Sequence, residues 1–527
     1  MLLRVSSVAL LLLSCAGTVF GTSPDAAVML DGGATDAGLG GDDGGVNDAG
    51  ASLDAGHPAQ GVTVGDFTGV NALIIDAVTD LAPLGAVREY HNWGWLGAND
   101  TASAYPNTLY TPNLPAFGWD WDALFAGLAA AGASGFPAVQ GGAAWVNGSA
   151  VPPVNAGADP TAAASYVAHG QTMFQVAARW GHTPVPDAQL RLNADQTRLS
   201  GLGTVRYFED FNEQDLNAGF EGAVYAAMAS ADLDGDQGRL GPGIGLKTAD
   251  PSASLVMGGL SGAYGGSVSW VDSITGFLEQ MRTWSVAHRG GSFPVDVLNV
   301  HYYSFGSVSP EADQVQQKLA AVVAWRDAHL PGLPVWWTEF GYDTFEPSPL
   351  HAPTLGGNSP FIVQAQWLVR DELAALAAGI ARATVFELDD TCTPPEAACT
   401  TQFATCGLLR KDHSRKPAWF FLATFRAWLS TMTFVGERTS GSNDVRVMRF
   451  ADTVSTGGAL VVWSPTSSAN VHAGYALAVP PGLTSVRVVE LVDQQQNGTE
   501  RTVAVTNGTV TLDVTETPTI VLLDVAP

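Results

Sequence analysis

From Val62 to about residue 430, short runs of β-branched and aromatic residues alternate with longer stretches whose apolar positions recur at helical spacing. The short runs predict strands at 66–71, 86–91, 135–140, 205–212, 255–259, 297–301, 335–339 and 383–387. Helices are predicted at 121–131, 160–180, 270–288, 311–329 and 360–378. Alternation of this kind predicts parallel strands covered by helices, and eight such strands is the number that closes a (β/α)8, or TIM, barrel. A long gap between the third and fourth strands predicts an elaborated loop near Trp145. After Trp428 the period shortens to two, with strands expected at 445–450, 459–463, 475–479, 485–491, 502–505, 509–514 and 519–523. Asn497-Gly498 and Asn507-Gly508 mark turns, the second between two strands as in a hairpin. The fold class expected is therefore α/β, a TIM barrel over 61–430 followed by an antiparallel β-sandwich over 431–527.

The first 60 residues have another texture. Met1 to Arg4 is a basic start, and Val5 to Ser14 is an apolar run too short to span a bilayer, so residues 1–21 read as an export signal. Leu12-Leu13-Ser14-Cys15 resembles a bacterial lipobox, which implies lipidation of Cys15; ordinary cleavage near Gly21 is the alternative. Residues 22–60 are almost wholly Asp, Gly, Ala and small polar residues, too poor in apolar area to offset ordering, and read as a disordered acidic tether. The expectation is an exported lipoprotein of the bacterial envelope or cell surface, a monomer that meets the membrane only through Cys15. A net charge of −27 argues against nucleic acid, which needs a basic face.

Polar side chains gather where the predicted strands end, the face on which barrel enzymes place their chemistry. The second strand ends Arg88-Glu89-Tyr90-His91-Asn92-Trp93 and the fourth Asn212-Glu213. The sixth ends Asn299-Val300-His301-Tyr302-Tyr303, the seventh Thr338-Glu339 and the eighth Phe386-Glu387-Leu388-Asp389-Asp390. Singly, each has a bland explanation, since a strand-end Asn or His often only satisfies backbone groups. Jointly they are harder to dismiss, because charged groups are rarely buried without purpose.

Arg88, Asn212-Glu213, His301-Tyr302-Tyr303 and Thr338-Glu339, in this order, resemble the retaining β-glycosidases of clan A, whose barrels carry catalytic Glu on strands four and seven. The stretch Trp337-Thr338-Glu339-Phe340-Gly341-Tyr342 is most similar to family 39 and some family 5 members. The resemblance implies Glu213 as acid/base, Glu339 as nucleophile and Asn212 as donor to the sugar 2-hydroxyl. It further implies that Arg88 and Tyr303 hold Glu339, with His301 in the same network or on the sugar. Retaining hydrolysis needs two carboxyls about 5–5.5 Å apart, one protonated and one ionised, and neighbouring charge with burial splits such a pair. Two departures stand out: Gln214 where the clan commonly has Pro, and Phe386 where it commonly has a Trp floor. Phe386 and Glu387 are expected to line the substrate site, as are His91 and, among the aromatics of the neighbouring loops, Trp93 and Trp145; core packing is the alternative for each Trp.

The partner expected is a carbohydrate, and no cofactor or metal is called for. Cys392, Cys399 and Cys406 predict one disulfide and one odd thiol in an exported protein. A zinc knot of these with His413 is disfavoured by the spacing. Asp232-Leu233-Asp234-Gly235-Asp236-Gln237-Gly238 imitates the opening of a calcium loop but lacks the Gly at position six and the Glu at position twelve, and reads as a solvated turn. Two other functions remain open: a glycan-binding lipoprotein with an inactive barrel, and a transglycosylase, which would use the same residues.

Overall fold

Eight parallel strands form one sheet: β1 (Thr68–Ala72), β2 (Ala86–Asn92), β3 (Ser134–Gln140), β4 (Tyr207–Asp210), β5 (Ser254–Met257), β6 (Leu298–His301), β7 (Val335–Glu339) and β8 (Arg382–Val385). Their order is β5-β4-β3-β2-β1-β8-β7-β6, and parallel bridges Val256–Val297 and Leu260–Val300 bring the two outer strands together. The computed structural model describes residues 61–96, 109–262, 268–392 and 399–525. The export signal, Cys15 and the tether lie outside the described residues. Among the described residues, no helix is long and apolar enough to cross a membrane.

Both faces of a parallel sheet are covered, so its strands are buried throughout; all five residues of β1 and of β7 are buried. Helices α1 (Trp121–Ala130), α2 (Val167–Trp180), α3 (Gly222–Asp234), α4 (Trp270–Arg289), α5 (Val315–His329), α6 (Pro360–Ala378) and α7 (Pro417–Leu429) supply the cover. Helices α3 and α7 escape the sequence pattern because they are apolar almost all round and buried, which leaves no polar stripe to set the period. Strands β4 and β8 are shorter than expected. Beyond β4, Phe211 (φ 82°) and Glu213 (φ 45°) adopt the left-handed region, which ends the extended run. Asn212, Glu213, Phe386 and Glu387 therefore stand on the first loop residues at the rim, not within the strands.

The C-terminal part holds β9 (Met432–Arg438), β10 (Arg446–Asp452), β11 (Gly458–Trp463), β12 (His472–Ala478), β13 (Ser485–Glu490), β14 (Thr499–Ala504), β15 (Thr509–Val514) and β16 (Thr519–Leu523). They form a six-stranded antiparallel sheet, β9-β10-β11-β16-β13-β14, and a separate pair, β12-β15. Alternation along β11 divides its side chains between two cores. Leu460 and Val462 join Leu477 and Leu512 of the pair, while Ala459, Val461 and Trp463 join the large cluster of the barrel helices. The Trp463 Nε1–H donates to Glu311 Oε1 at 2.9 Å, and Glu311 also pairs with Arg370 of α6. Trp463→Ala is expected to cost about 3–5 kcal/mol by opening a cavity at this junction, read as a lowered denaturant midpoint. A value below about 1 kcal/mol would mean that the sheet's contact with the helices contributes little.

Candidate active site

Period-two alternation decides which side chains of β2 enter the barrel. Arg88 and Tyr90 point inward, whereas Glu89 and His91 point outward to the helix layer. The Arg88 guanidinium is fully buried and organises the rim. Its Nε and Nη2 donate to the two oxygens of Glu209 at 2.6 and 2.7 Å. Its Nη1 donates to Glu339 Oε1 at 2.8 Å and Asn71 Oδ1 at 2.9 Å, and Nη2 to Asn212 Oδ1 at 2.7 Å. Arginine can only donate, so the Asn212 amide must turn its oxygen to Arg88. Its Nδ2, which makes no hydrogen bond among the described residues, is left facing outward.

Glu339, the last residue of β7, accepts two further hydrogen bonds and lies near an imidazole. The Tyr90 hydroxyl donates to Oε1 at 2.7 Å, the Tyr303 hydroxyl to Oε2 at 3.0 Å, and His301 Nδ1 lies 3.6 Å from Oε2. Burial alone would raise this carboxyl. The charges of His301 and Arg88, with the hydrogen bonds from Tyr90 and Arg88, outweigh it and hold Glu339 below the usual range. Glu213 goes the other way. Burial above all, aided by the charge of Glu339, pushes it up against the lowering effect of its hydrogen bond to His301.

The proton between Glu213 and His301 can be traced from the outside in. Glu209 accepts from Asn299 Nδ2 at 3.1 Å, so the Asn299 oxygen faces Thr338 and takes its hydroxyl proton at 2.9 Å. The Thr338 oxygen can then only accept from His301 Nε2, 3.1 Å away. That leaves Nδ1 facing Glu213 Oε1 at 3.0 Å, as acceptor from a carboxylic acid or as donor from an imidazolium. Either way, the pair keeps one proton at the rim. Gly259 makes room for this imidazole, since a Cβ there would lie 1.9 Å from His301 Nε2.

One ligand atom each from Glu213, His301 and Glu339 falls within 4.8 Å of the others. Three such groups could hold a cation, but Arg88 already supplies the positive charge at Glu339. The arrangement suits displacement at a carbon lying between two carboxyls, one carrying a proton and one ionised.

Several expected site residues lie elsewhere. His91 is buried on the outer face of β2, 3.0 Å from Glu89 and edge-on to Trp121 and Trp180, so it does not line the site. Trp93 is also buried, packed against Trp145 and His169, and presents no face to a sugar. Trp145 is partly buried, and no contact joins it to the carboxylates among the described residues. Phe386 does reach the rim, with ring centres 6.4 Å from both Tyr90 and Tyr303. Glu387 is 7% exposed, and burial with the charges of Asp76, Asp390 and Glu339 raises it well above the carboxylate range. Tyr90, Glu209, Asn71 and Phe403 were missed. Alternation from Arg88 could have indicated the first. Phe403 comes from a distant loop and had no such signal; its ring lies 5.0 Å from Tyr303 and 5.8 Å from Phe386. Asp343 anchors that loop, accepting from the backbone N–H groups of Phe403 and Thr405 at 2.9 Å.

Cys392 and Cys399 form a disulfide and Cys406 is a buried free thiol, which removes the ligands of a zinc knot. The turn after Asp232 is not simply solvated either. Asp232 is fully buried inside α3, while Asp234 pairs with Arg289 and Asp236 with Arg239.

No family model matches the sequence, and no curated protein matches it. Solved structures do. A family 39 glycoside hydrolase from the gut symbiont Bacteroides cellulosilyticus WH2 is similar over 88% of this chain and 82% of its own, at 15% identity and a TM-score of 0.59. CelM2, a bifunctional glucanase-xylanase from a metagenome library, is similar over 90% and 98%, at 15% identity and 0.53. A GH30 endoxylanase from Clostridium papyrosolvens C71 is similar over 88% and 98%, at 12% identity and 0.52. At these identities the likeness is one of fold, which this chain shares with these glycoside hydrolases.

Proposed function

We propose that this chain is a glycoside hydrolase that cleaves β-linked glycans with retention of configuration. The observation that carries the reading is the pair Glu213 and Glu339, within 4.8 Å and pushed in opposite directions from the ordinary carboxylate range. Glu213 protonates the leaving oxygen while ionised Glu339 attacks the anomeric carbon. The Glu213–His301 pair then takes a proton from the water that releases the sugar. Asn212 Nδ2 donates to the 2-hydroxyl, a contact that strengthens as the ring flattens. Arg88, Tyr90 and Tyr303 keep Glu339 ionised and aimed. In this reading the C-terminal sheets form a sandwich that braces the barrel. The monomeric enzyme stands off a bacterial envelope on an acidic tether lipidated at Cys15.

The test is reducing-sugar release by the purified protein on β-glucans, xylan, mannan and galactans. Release that stops in both Glu213→Ala and Glu339→Ala supports the reading. Tight binding of one glycan without turnover would replace it with a glycan-binding role, and transfer to added sugar in place of water would make it a transglycosylase.

Activity requires Glu339 ionised and Glu213 protonated. The acid limb should therefore fall below the usual carboxylate range, and the alkaline limb above it. Initial rates from pH 3 to pH 9 check this, and Glu213→Gln should abolish the alkaline limb in whatever rate survives.

A further inference from the structure

Glu209 and Asp210 are neighbours in β4, and the pleat sends them to opposite faces. Glu209 turns in to Arg88. Asp210 turns out to the layer where α2 and α3 pack, and there it meets His169 of α2 and Asp232 of α3. His169 Nδ1 lies 2.9 Å from Asp232 Oδ2 and 3.9 Å from Asp210 Oδ1. One ligand atom from each residue falls within 4.8 Å of the others. All three side chains are fully buried.

The cluster is chemically incomplete. With both carboxyls ionised, the two oxygens of Asp210, Oδ1 of Asp232 and Nε2 of His169 have no hydrogen-bond partner. No Lys or Arg pairs with either carboxylate among the described residues; the only basic neighbour is the imidazole. A buried polar atom left unmet costs about 1–3 kcal/mol, and several in one place call for an ion or water. The Tyr225 hydroxyl donates to the Asp210 backbone carbonyl at 2.8 Å and accepts from Gly258 N, and its nearness to the Asp210 carboxyl offsets only part of the burial that pushes this group up. A proton shared between the two carboxyls would meet one oxygen of each and leave the second oxygen of Asp210 and Nε2 of His169 unmet.

We propose that His169, Asp210 and Asp232 hold one structural zinc ion. Two carboxylates balance a divalent charge, and a neutral imidazole adds the nitrogen that favours zinc over calcium or magnesium. The second oxygen of Asp210 is free to complete four-coordination. Burial at zero exposure means that the ion enters as the chain folds, so its binding energy is folding energy. The ion lies on the outer side of β4, three residues before Glu213, and ties that strand to two helices. Its role is to fix the strand that delivers the acid/base, not to touch substrate.

The experiment is metal analysis of the whole protein, produced in zinc-supplemented medium and purified without chelator. The expected result is about one zinc per chain. It should be retained in the Glu213→Gln/Glu339→Gln double variant, lost in Asp232→Asn and His169→Gln, and accompanied by a lower Tm when unfolded protein is refolded with chelator. Folded wild-type protein without metal overturns the proposal in favour of a shared proton. Zinc that survives in Asp232→Asn does the same. Should the variants not fold, an anomalous difference map of wild-type crystals at the zinc edge decides: a peak among the three side chains supports the site, and its absence there overturns it.

Discussion

Glu339→Gln should lower kcat by about 10⁴-fold or more while leaving the protein folded. The amide is isosteric and can keep the local contacts. Arg88 Nη1 and the Tyr90 hydroxyl both donate to Oε1, so the amide oxygen takes that position. The nitrogen then faces Tyr303, whose hydroxyl can turn to accept. What is lost is the nucleophile. The sharper form of the test is Glu339→Ala with added azide, which should restore turnover and release a glycosyl azide inverted at the anomeric carbon. Glu213→Ala with azide should give the retained azide, because Glu339 still forms the intermediate. A retained azide from Glu339→Ala and an inverted one from Glu213→Ala would mean that the two roles are exchanged.

Arg88→Met should cost about 3–5 kcal/mol of stability, since it strands the fully buried Glu209 without its cation. Its effect on activity should exceed that of lost fold alone. Without the guanidinium, one of the two charges that hold Glu339 low is gone, and the acid limb of the pH profile should move up. Arg88→Lys should not rescue it, because one ammonium cannot reach Glu209, Asn71, Asn212 and Glu339 together. Urea unfolding and the pH profile of the folded fraction check the two parts separately. An unchanged acid limb would show that Tyr90, Tyr303 and His301 suffice to keep Glu339 ionised.

The barrel was legible because parallel strands buried on both faces leave uninterrupted β-branched and aromatic runs, of which Val335–Glu339 is the clearest. The paired carboxylates were legible because each follows such a run. Less visible was which way a side chain points. His91 lies three residues from Arg88, an odd number, so the strand that turns Arg88 inward turns His91 out; period-two reasoning held that answer, and Tyr90 was available by the same rule. Trp93 follows the strand and falls into the helix layer, a placement decided by its packing on His169 and not by its own sequence neighbours. Phe403 was illegible for a different reason: its place at the rim depends on Asp343, sixty residues earlier, reaching its backbone. Asp232 looked like part of a surface turn because spacing cannot report that α3 is buried on nearly every side.

Thr68 pairs with Ala383 of β8, and Thr63, just before it, bridges to Thr433. A chain made from its N-terminus cannot close these contacts until more than three hundred further residues have followed. Such distant pairing makes folding slow, and the growing chain spends its synthesis without a finished barrel.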